Sequence, residues 1–352
     1  MCSANSSTRP CLAKSKPSVR HRLPLPLVKP LALEKIKTHP LAKRHSKVNL
    51  PEFATPWRPG GRFSAFFDSL PDILAARVLR DVVDAVIKAR LAGRAVALGM
   101  GAHPTKVGLN PVLVDLMERG VITALALNGA VIIHDFELAF LGHTSEEVDM
   151  EIDSGRFGMA EETGRLINHA NSLGVRKGLG LGESVGRWIE EHSFPNRKTS
   201  LLAAAVRLDI PVTVHVAVGT DIIHMHPAVD GAALGEASLR DFRTFAAVVA
   251  GLEQGVYLNV GSAVIMPEVF LKALTLVRNL GHTVDRITTV NMDFMPHYRP
   301  LTNVIRRPTQ KGGNGYTLIG HHEIMLPLLA AGLIERLQQH WGRASSVRRT
   351  VR

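Results

Sequence analysis

The chain has 352 residues, 45% of them apolar and 21% charged, enough for a sizeable core in one large or two ordinary domains and unlike collagen, coiled coils or wholly disordered chains. Its apolar runs fall short of the ~18 residues that a bilayer-spanning helix needs. The net charge of +11 sits at the ends, since residues 1–50 carry +10 and residues 343–352 carry +4, which leaves −3 for 51–342.

A near-neutral body with basic ends touches polyanions weakly through its tails, so a specific nucleic-acid partner is not expected, nor is a membrane partner. Residues 1–50, rich in Pro, Ser, Lys and Arg, read as a flexible basic arm, 51–342 as a single α/β domain, and 343–352 as a basic tail. Both cysteines, Cys2 and Cys11, lie in the arm. The body therefore has no disulfide and no thiol nucleophile, as expected of a reducing, cytoplasmic location.

Within the body, Pro71–Ala92 has the apolar spacing of a helix at Ile73, Val78, Val82 and Ile87. Ala95–Leu98 is a short apolar run ending at Gly99. Asn110 reads as an N-cap with Pro111 at the first helical position. Ile122–Leu127 ends in Asn128-Gly129 and leads into a helix through Phe140. Helical segments fill 145–205. Val212–Val218 ends in Gly219-Thr220-Asp221, Val256–Val260 in Gly261-Ser262 before a helix from Pro267, and Ile287–Val290 follows. Gly312–Gly320 reads as a glycine-rich loop able to close over a ligand, and Glu323–Gln339 as the closing helix. Short, almost continuously apolar strands alternating with helices predict an α/β fold with a parallel sheet covered by helices on both faces, and a helical insertion around 145–205.

Four predicted strands thus end in glycine plus a small or polar residue: Gly99, Asn128-Gly129, Gly219-Thr220 and Gly261-Ser262. In open parallel sheets ligands sit beyond the strand carboxyl ends, where glycines let backbone amides approach a phosphate. The ordinary dinucleotide fingerprint is absent, because Gly99-Met100-Gly101-Ala102-His103-Pro104 has proline where a third glycine belongs. The second strand also ends in Asn128 rather than an acid.

The order of segments resembles the deoxyhypusine synthase family. Leu201–Val218 followed by Gly219-Thr220-Asp221 resembles that family's strand and Thr-Asp turn, and Asn259-Val260-Gly261-Ser262 before a helix resembles its glycine-rich strand end. Leu125–Thr144 also resembles the NAD-binding domain of archaeal-type ornithine cyclodeaminases and arginine dihydrolases. The resemblance implies a Rossmann-variant fold, NAD as cofactor, and Gly99, Gly101, Asn128, Gly129, Gly219, Thr220, Asp221, Gly261 and Ser262 as its contacts. The family's nucleophilic lysine has no counterpart within Gly312–Leu326, and Lys311 lies just before it. The implied protein is therefore a diverged member and not a true deoxyhypusine synthase.

His134 and Glu137, three apart on a helix, share a face and can form an acid–base pair. His322, between His321 and Glu323 at the start of the last helix, is well placed for proton transfer. His224 and His226 after a strand could instead bind zinc with Asp221. Gly182-Glu183-Ser184-Val185-Gly186 matches a nucleophile elbow but lacks a sound strand before it, and Glu183 could hold an amine.

The leading expectation is an NAD-binding enzyme that removes hydride from an amine or amino-acid substrate and handles the resulting imine, working as a cytoplasmic homo-oligomer. His134, Glu137 and His322 are its acid–base residues. The alternatives are a metal-dependent hydrolase using His224 and His226, and a catalytically inactive nucleotide-binding protein.

Overall fold

The computed structural model describes the backbone of residues 26–350 and the side chains of 26–340. Cys2, Cys11 and the first half of the basic arm lie outside the described residues, as do the side chains of the basic tail. The chain divides into two units at Lys47/Val48. In the first, residues 26–47 are exposed throughout and contain one 3-10 turn, Leu41–Lys43.

The second unit begins with helices α1 (Phe63–Ser69) and α2 (Leu74–Leu91). Strand β1 (Val96–Met100) leads into the one-turn helix α3 (His103–Lys106) and then α4 (Asn110–Glu118). After β2 (Ala124–Asn128) comes α5 (Gly129–Leu141), opened by Asn128, whose Oδ1 accepts the Val131 amide at 3.2 Å, and closed by left-handed Gly142. The insertion follows as α6 (Val148–Glu151), α7 (Glu161–Arg176), α8 (Leu181–Glu191) and α9 (Leu201–Arg207). Then come β3 (Val212–His215), α10 (Gly231–Ala250), β4 (Val256–Val260), α11 (Ile265–Asn279), β5 (Thr288–Asp293), a π-helical turn at Pro300–Arg306, β6 (Asn314–Ile319) and α12 (His322–Thr350).

All six strands are parallel, in the order β3-β2-β1-β4-β5-β6. This is a Rossmann-type doubly wound sheet, whose direction of growth reverses between β1 and β4. Side chains alternate along the strands. Leu98, Met100, Leu125, Leu127, Leu258 and Val260 face the core shared with α2, α4, α5, α8, α9 and α12, while Ala97, Ala124, Ala126 and Tyr257 face α10 and α11. On the second face β1 and β2 carry only small residues, and the space is filled by Tyr257, stacked on Phe270 at 3.9 Å, with Phe245 beside it. Such stacked pairs add about 0.5–1.5 kcal/mol to the area they bury.

Two buried carboxylates tie the insertion to the sheet. Asp135 of α5 accepts from Asn110 Nδ2, Ser200 Oγ and the amides of Leu201 and Leu202 at 2.6–3.2 Å, so Asn110 serves Asp135, and Leu109, not Asn110, occupies the cap of α4. Asp241 of α10 accepts from the amides of Gly182 and Val214 at 2.9 and 2.8 Å, holding the start of α8 against β3. Burial pushes Asp135 up to about 6 and Asp241 up to about 7.

The sequence reading of Gly312–Gly320 as a closing loop is corrected: most of this segment is the edge strand β6. Its glycines serve close packing rather than mobility. A Cβ on Gly313 would lie 2.5 Å from the Ile287 carbonyl oxygen, and one on Gly315 would lie 2.8 Å from Ile305. The nucleophile elbow is likewise replaced by helix. Ser184 is buried in α8 and its hydroxyl donates to the Gly180 carbonyl at 2.5 Å, while Glu183 pairs with Arg187.

Gly99 lies inside β1, where a Cβ would fall 2.1 Å from Tyr257 Oη. Gly99→Ala is therefore expected to cost about 1–3 kcal/mol through overpacking. Gly235→Ala, on an exposed face of α10 with nothing near its Cβ, is expected to add up to about 1 kcal/mol. Thermal unfolding of the two variants should move in opposite directions.

Candidate functional site

The strand carboxyl ends bring the sequence candidates into two neighbouring groups, one on either side of α3. On the β2–β3 side is a 220 Å³ cavity lined by Lys106, Ile133, His134, Glu137, Glu146, Phe157, Thr220 and Asp221 among others. His134 and Glu137 do share a face of α5, but they meet through a third residue. The Thr144 hydroxyl donates to Glu137 Oε2 and lies 2.8 Å from His134 Nδ1, while Thr163 Oγ1 donates to Glu137 Oε1 at 2.9 Å. Because the one Thr144 proton goes to the carboxylate, His134 Nδ1 must carry a hydrogen, which leaves a lone pair on Nε2. Burial, and then the nearby Lys106, lower His134 to about 4, so its ring is neutral at physiological pH.

Asp221 closes the same cavity from the loop after β3. It is 9% exposed and packs on the start of α5, so that a Cβ on Gly129 would lie 2.0 Å from its Oδ2. That oxygen has no hydrogen-bond partner. His224 Nδ1 accepts from the amides of Gly219 and Asp221 at 3.1 and 3.3 Å, which puts the ring proton on Nε2. This nitrogen is also buried and unpartnered, 4.0 Å from Asp221 Oδ2. Burial pushes Asp221 up to about 6 and lowers His224. His226 points elsewhere, with Nε2 3.1 Å from Glu161 and Nδ1 accepting the Ala228 amide. The two histidines of the zinc reading thus spend three of their four ring nitrogens on the protein itself. Among the described residues no group of three or more His, Cys, Asp or Glu could hold a metal ion.

The second group lies at the reversal point. Gly101 and Gly261, directly after β1 and β4, touch backbone to backbone, since a Cβ on Gly101 would fall 2.1 Å from the Gly261 carbonyl oxygen. Their amides donate to Val260 and Met292 at 3.0 Å and so extend the sheet. The Ser262 hydroxyl accepts the Met266 amide at 3.2 Å at the head of α11. Above Gly261 sits His322, 0% exposed, with Nε2 3.2 Å from the Met292 carbonyl oxygen and Nδ1 3.1 Å from His103 Nδ1.

Of the predicted contacts, Thr220 and Asp221 line the cavity, Gly129 packs on Asp221 and Asn128 caps α5, while Gly101, Gly261, Ser262 and His322 gather at the reversal point. Gly99 is shielded by Tyr257, and Gly219 forms an exposed turn with φ +92°. Sequence reasoning missed His103, Lys106 and Thr144. His103 had a signal, since it follows a strand-end glycine in Gly101-Ala102-His103-Pro104. Thr144 had none.

A dinucleotide laid along the strand ends finds a fitting partner in Asp221, whose free buried oxygen can accept from ribose hydroxyls. No protein-family model matches this chain, and no curated protein matches it in sequence. Among solved structures, the ternary complex of AgrE with ornithine and NAD+ is similar over 77% of this chain and 35% of that one, at 17% identity and a TM-score of 0.51. ArgZ, an arginine dihydrolase from the ornithine–ammonia cycle in cyanobacteria, is similar over 74% and 33% at 17% identity, with a TM-score of 0.49. A candidate deoxyhypusine synthase from Entamoeba histolytica is similar over 80% and 96% at 11% identity, with a TM-score of 0.47. The chain spans about a third of the length of ArgZ and AgrE. The α/β fold expected from the resemblance is thus the fold observed. Among the described residues no helix is long and apolar enough to cross a membrane.

The raised Asp221 makes a signed prediction. Between the unfolded value near 3.9 and the folded value of about 6, the folded state binds more protons, so stability falls as pH rises through this window. The cost is fully present above it. Asp221→Asn should therefore stabilise the ligand-free protein at pH 8 by on the order of 1 kcal/mol, seen as a higher melting temperature, and leave it almost unchanged near pH 4. Asp135 and Asp241 titrate in the same direction in both proteins, so the difference between the two melting curves isolates Asp221. A variant that melts lower at pH 8 would show the carboxylate to be stabilising instead.

Proposed function

We propose that the chain is an NAD-binding enzyme that acts on an amine or amino-acid substrate by hydride removal and imine chemistry. The observation that carries this reading is the buried Asp221 carboxylate, whose Oδ2 has no partner among the described residues, at the carboxyl edge of a doubly wound sheet and beside a cavity with acidic walls. The fold it shares with AgrE, a protein crystallised with ornithine and NAD+, supports it. NAD, when bound, supplies the hydride acceptor.

The chain's own residues do the rest. Asp221 takes the ribose hydroxyls. Asn128, Gly129, Thr220, Gly219, Gly101, Gly261 and Ser262 shape the bed beneath the cofactor, and Gly99 acts only by letting Tyr257 bring β4 close. Glu137, Glu146 and Asp221 outnumber Lys106 around the cavity, a balance that favours a cationic amine and leaves Lys106 for a substrate carboxylate. His134, neutral and oriented by Thr144 and Glu137, keeps its Nε2 lone pair for a hydrogen bond from the substrate ammonium. His322 is buried with both nitrogens engaged, so it reaches a ligand only through His103.

Lys311 precedes β6, at the amino-terminal edge of the sheet, opposite the strand ends that form the site. This placement argues against a lysine–imine route through that residue and against a true deoxyhypusine synthase.

A ligand that binds only the folded state at ~100 times its dissociation constant stabilises it by about 2.7 kcal/mol, a shift of several degrees for a domain of this size. Calorimetry should show that shift for the wild type with NAD and most of it lost in Asp221→Ala. Wild type unmoved by millimolar NAD would overturn the cofactor assignment. Incubation with NAD and ornithine, arginine or spermidine, followed by absorbance of the reduced cofactor, then separates an enzyme from a binding protein that does not turn over.

A further inference from the structure

We infer that His103 is a proton-accepting residue of the ligand crevice and that His322 is the residue that positions it. This rests on the reading that the strand ends hold a ligand, and it adds a base on the side of α3 opposite His134.

The assignment follows from hydrogen accounting. The Met292 carbonyl can only accept, so His322 Nε2, 3.2 Å away, carries a hydrogen. The same oxygen takes the Gly261 amide at 3.0 Å, which uses its second lone pair. Burial lowers His322 from the ordinary imidazole range, so the ring is neutral and Nδ1 has a lone pair. That lone pair faces His103 Nδ1 at 3.1 Å, and the hydrogen between them must belong to His103. A neutral His103 with hydrogen on Nδ1 has its lone pair on Nε2. This nitrogen makes no hydrogen bond among the described residues, and the residue is exposed. An imidazole free in water exchanges between two tautomers, whereas here a buried partner selects the one with a basic outer nitrogen.

The charges around the pair favour positive charge at His322 rather than at His103, so it is the geometry that places the proton. Asp293 at the end of β5 and Glu323 on α12 both favour positive charge near His322, and His103 opposes it there. His321 stands on the far side of Phe294, whose ring also flanks His103, and Lys106 lies on the same short helix as His103. Because His322 is buried with both nitrogens engaged, only His103 Nε2 is open to a proton from the ligand. In that step an N–H or O–H bond of the ligand breaks and an Nε2–H bond forms. The imidazolium so produced keeps donating from Nδ1 into the His322 lone pair. The ligand group facing His103 must thus be a donor, such as an ammonium or a hydroxyl.

The test is ring-nitrogen NMR of the full-length protein, labelled with 15N-histidine, at pH 8 and without ligand. His103 should show hydrogen on Nδ1 and His322 hydrogen on Nε2. His322→Asn keeps an oxygen near the lost Nδ1 and should preserve the His103 tautomer, whereas His322→Phe should lose it. Hydrogen on His103 Nε2 in the wild type, or a tautomer indifferent to His322→Phe, overturns the proposal, and the wild-type spectrum decides even if a variant fails to fold.

A second arm uses diethyl pyrocarbonate, which acylates unprotonated imidazole. It should modify His103 and spare His322, and NAD at ten times its dissociation constant should slow the His103 reaction about tenfold by occupancy alone. NAD that raises the melting temperature but leaves this rate unchanged overturns the placement of His103 in the crevice. NAD that does neither defeats the cofactor reading, and the tautomers then decide the pair on their own.

Discussion

Everything at the carboxyl edge depends on how closely β1 and β4 approach. They are distant in sequence but adjacent in the sheet, and two missing side chains allow the contact. Gly99 makes room for the Tyr257 ring, and Gly101 lets its backbone meet the Gly261 carbonyl. The helices that follow β1 and β4 depart to opposite faces, the topology at which doubly wound sheets hold their ligands. A single methyl group at either glycine would push the strands apart and deform the crevice floor. The same contact places Gly261 beneath His322, so a packing constraint also fixes the position of a titratable ring.

The treatment of buried carboxylates separates structure from function. Asp135 accepts four hydrogen bonds and Asp241 at least two, and both are consumed in anchoring helices of the insertion. Satisfied groups of this kind are what folding alone produces. Asp221 departs from that pattern, since its Oδ2 is buried without a partner and faces an equally orphaned His224 Nε2. An unpaired buried polar atom costs roughly 1–3 kcal/mol. A ligand that supplies a donor to Asp221 and an acceptor to His224 would satisfy both atoms on binding, which favours ligands carrying that pair of groups.

The parallel sheet was legible because its strands are short and apolar on both faces, and five of the six could be placed to within a few residues. β6 escaped because Gly312, Gly313, Gly315 and Gly320 imitate a flexible loop. Their function is set by the backbone of Ile287 and Ile305, which only the tertiary structure brings near. At the site, spacing on one helix correctly paired the faces of His134 and Glu137, but it could not reveal Thr144, which arrives from the loop after α5. His322 was visible as a histidine at a helix start. Its partner His103 lies 219 positions away, and nothing in local periodicity links them. Residues within one turn were readable in this sequence, and those joined by the sheet crossover were not.

The two histidines proposed to face the ligand have their tautomers set by different routes. For His134, a carboxylate acting through a hydroxyl orients the ring, while burial and Lys106 keep it neutral. For His103, a second imidazole does the orienting, and that imidazole is kept neutral by its own burial. In both, Nδ1 is spent on the protein and Nε2 is left for a ligand. Both backing groups fix the ring's orientation and tautomer, and at His134 burial and Lys106 hold the ring neutral despite the carboxylate behind Thr144. Under the proposed reading, the cavity side of α3 therefore offers an oriented hydrogen-bond acceptor to a cationic group, and the crevice side an outer nitrogen open to proton exchange.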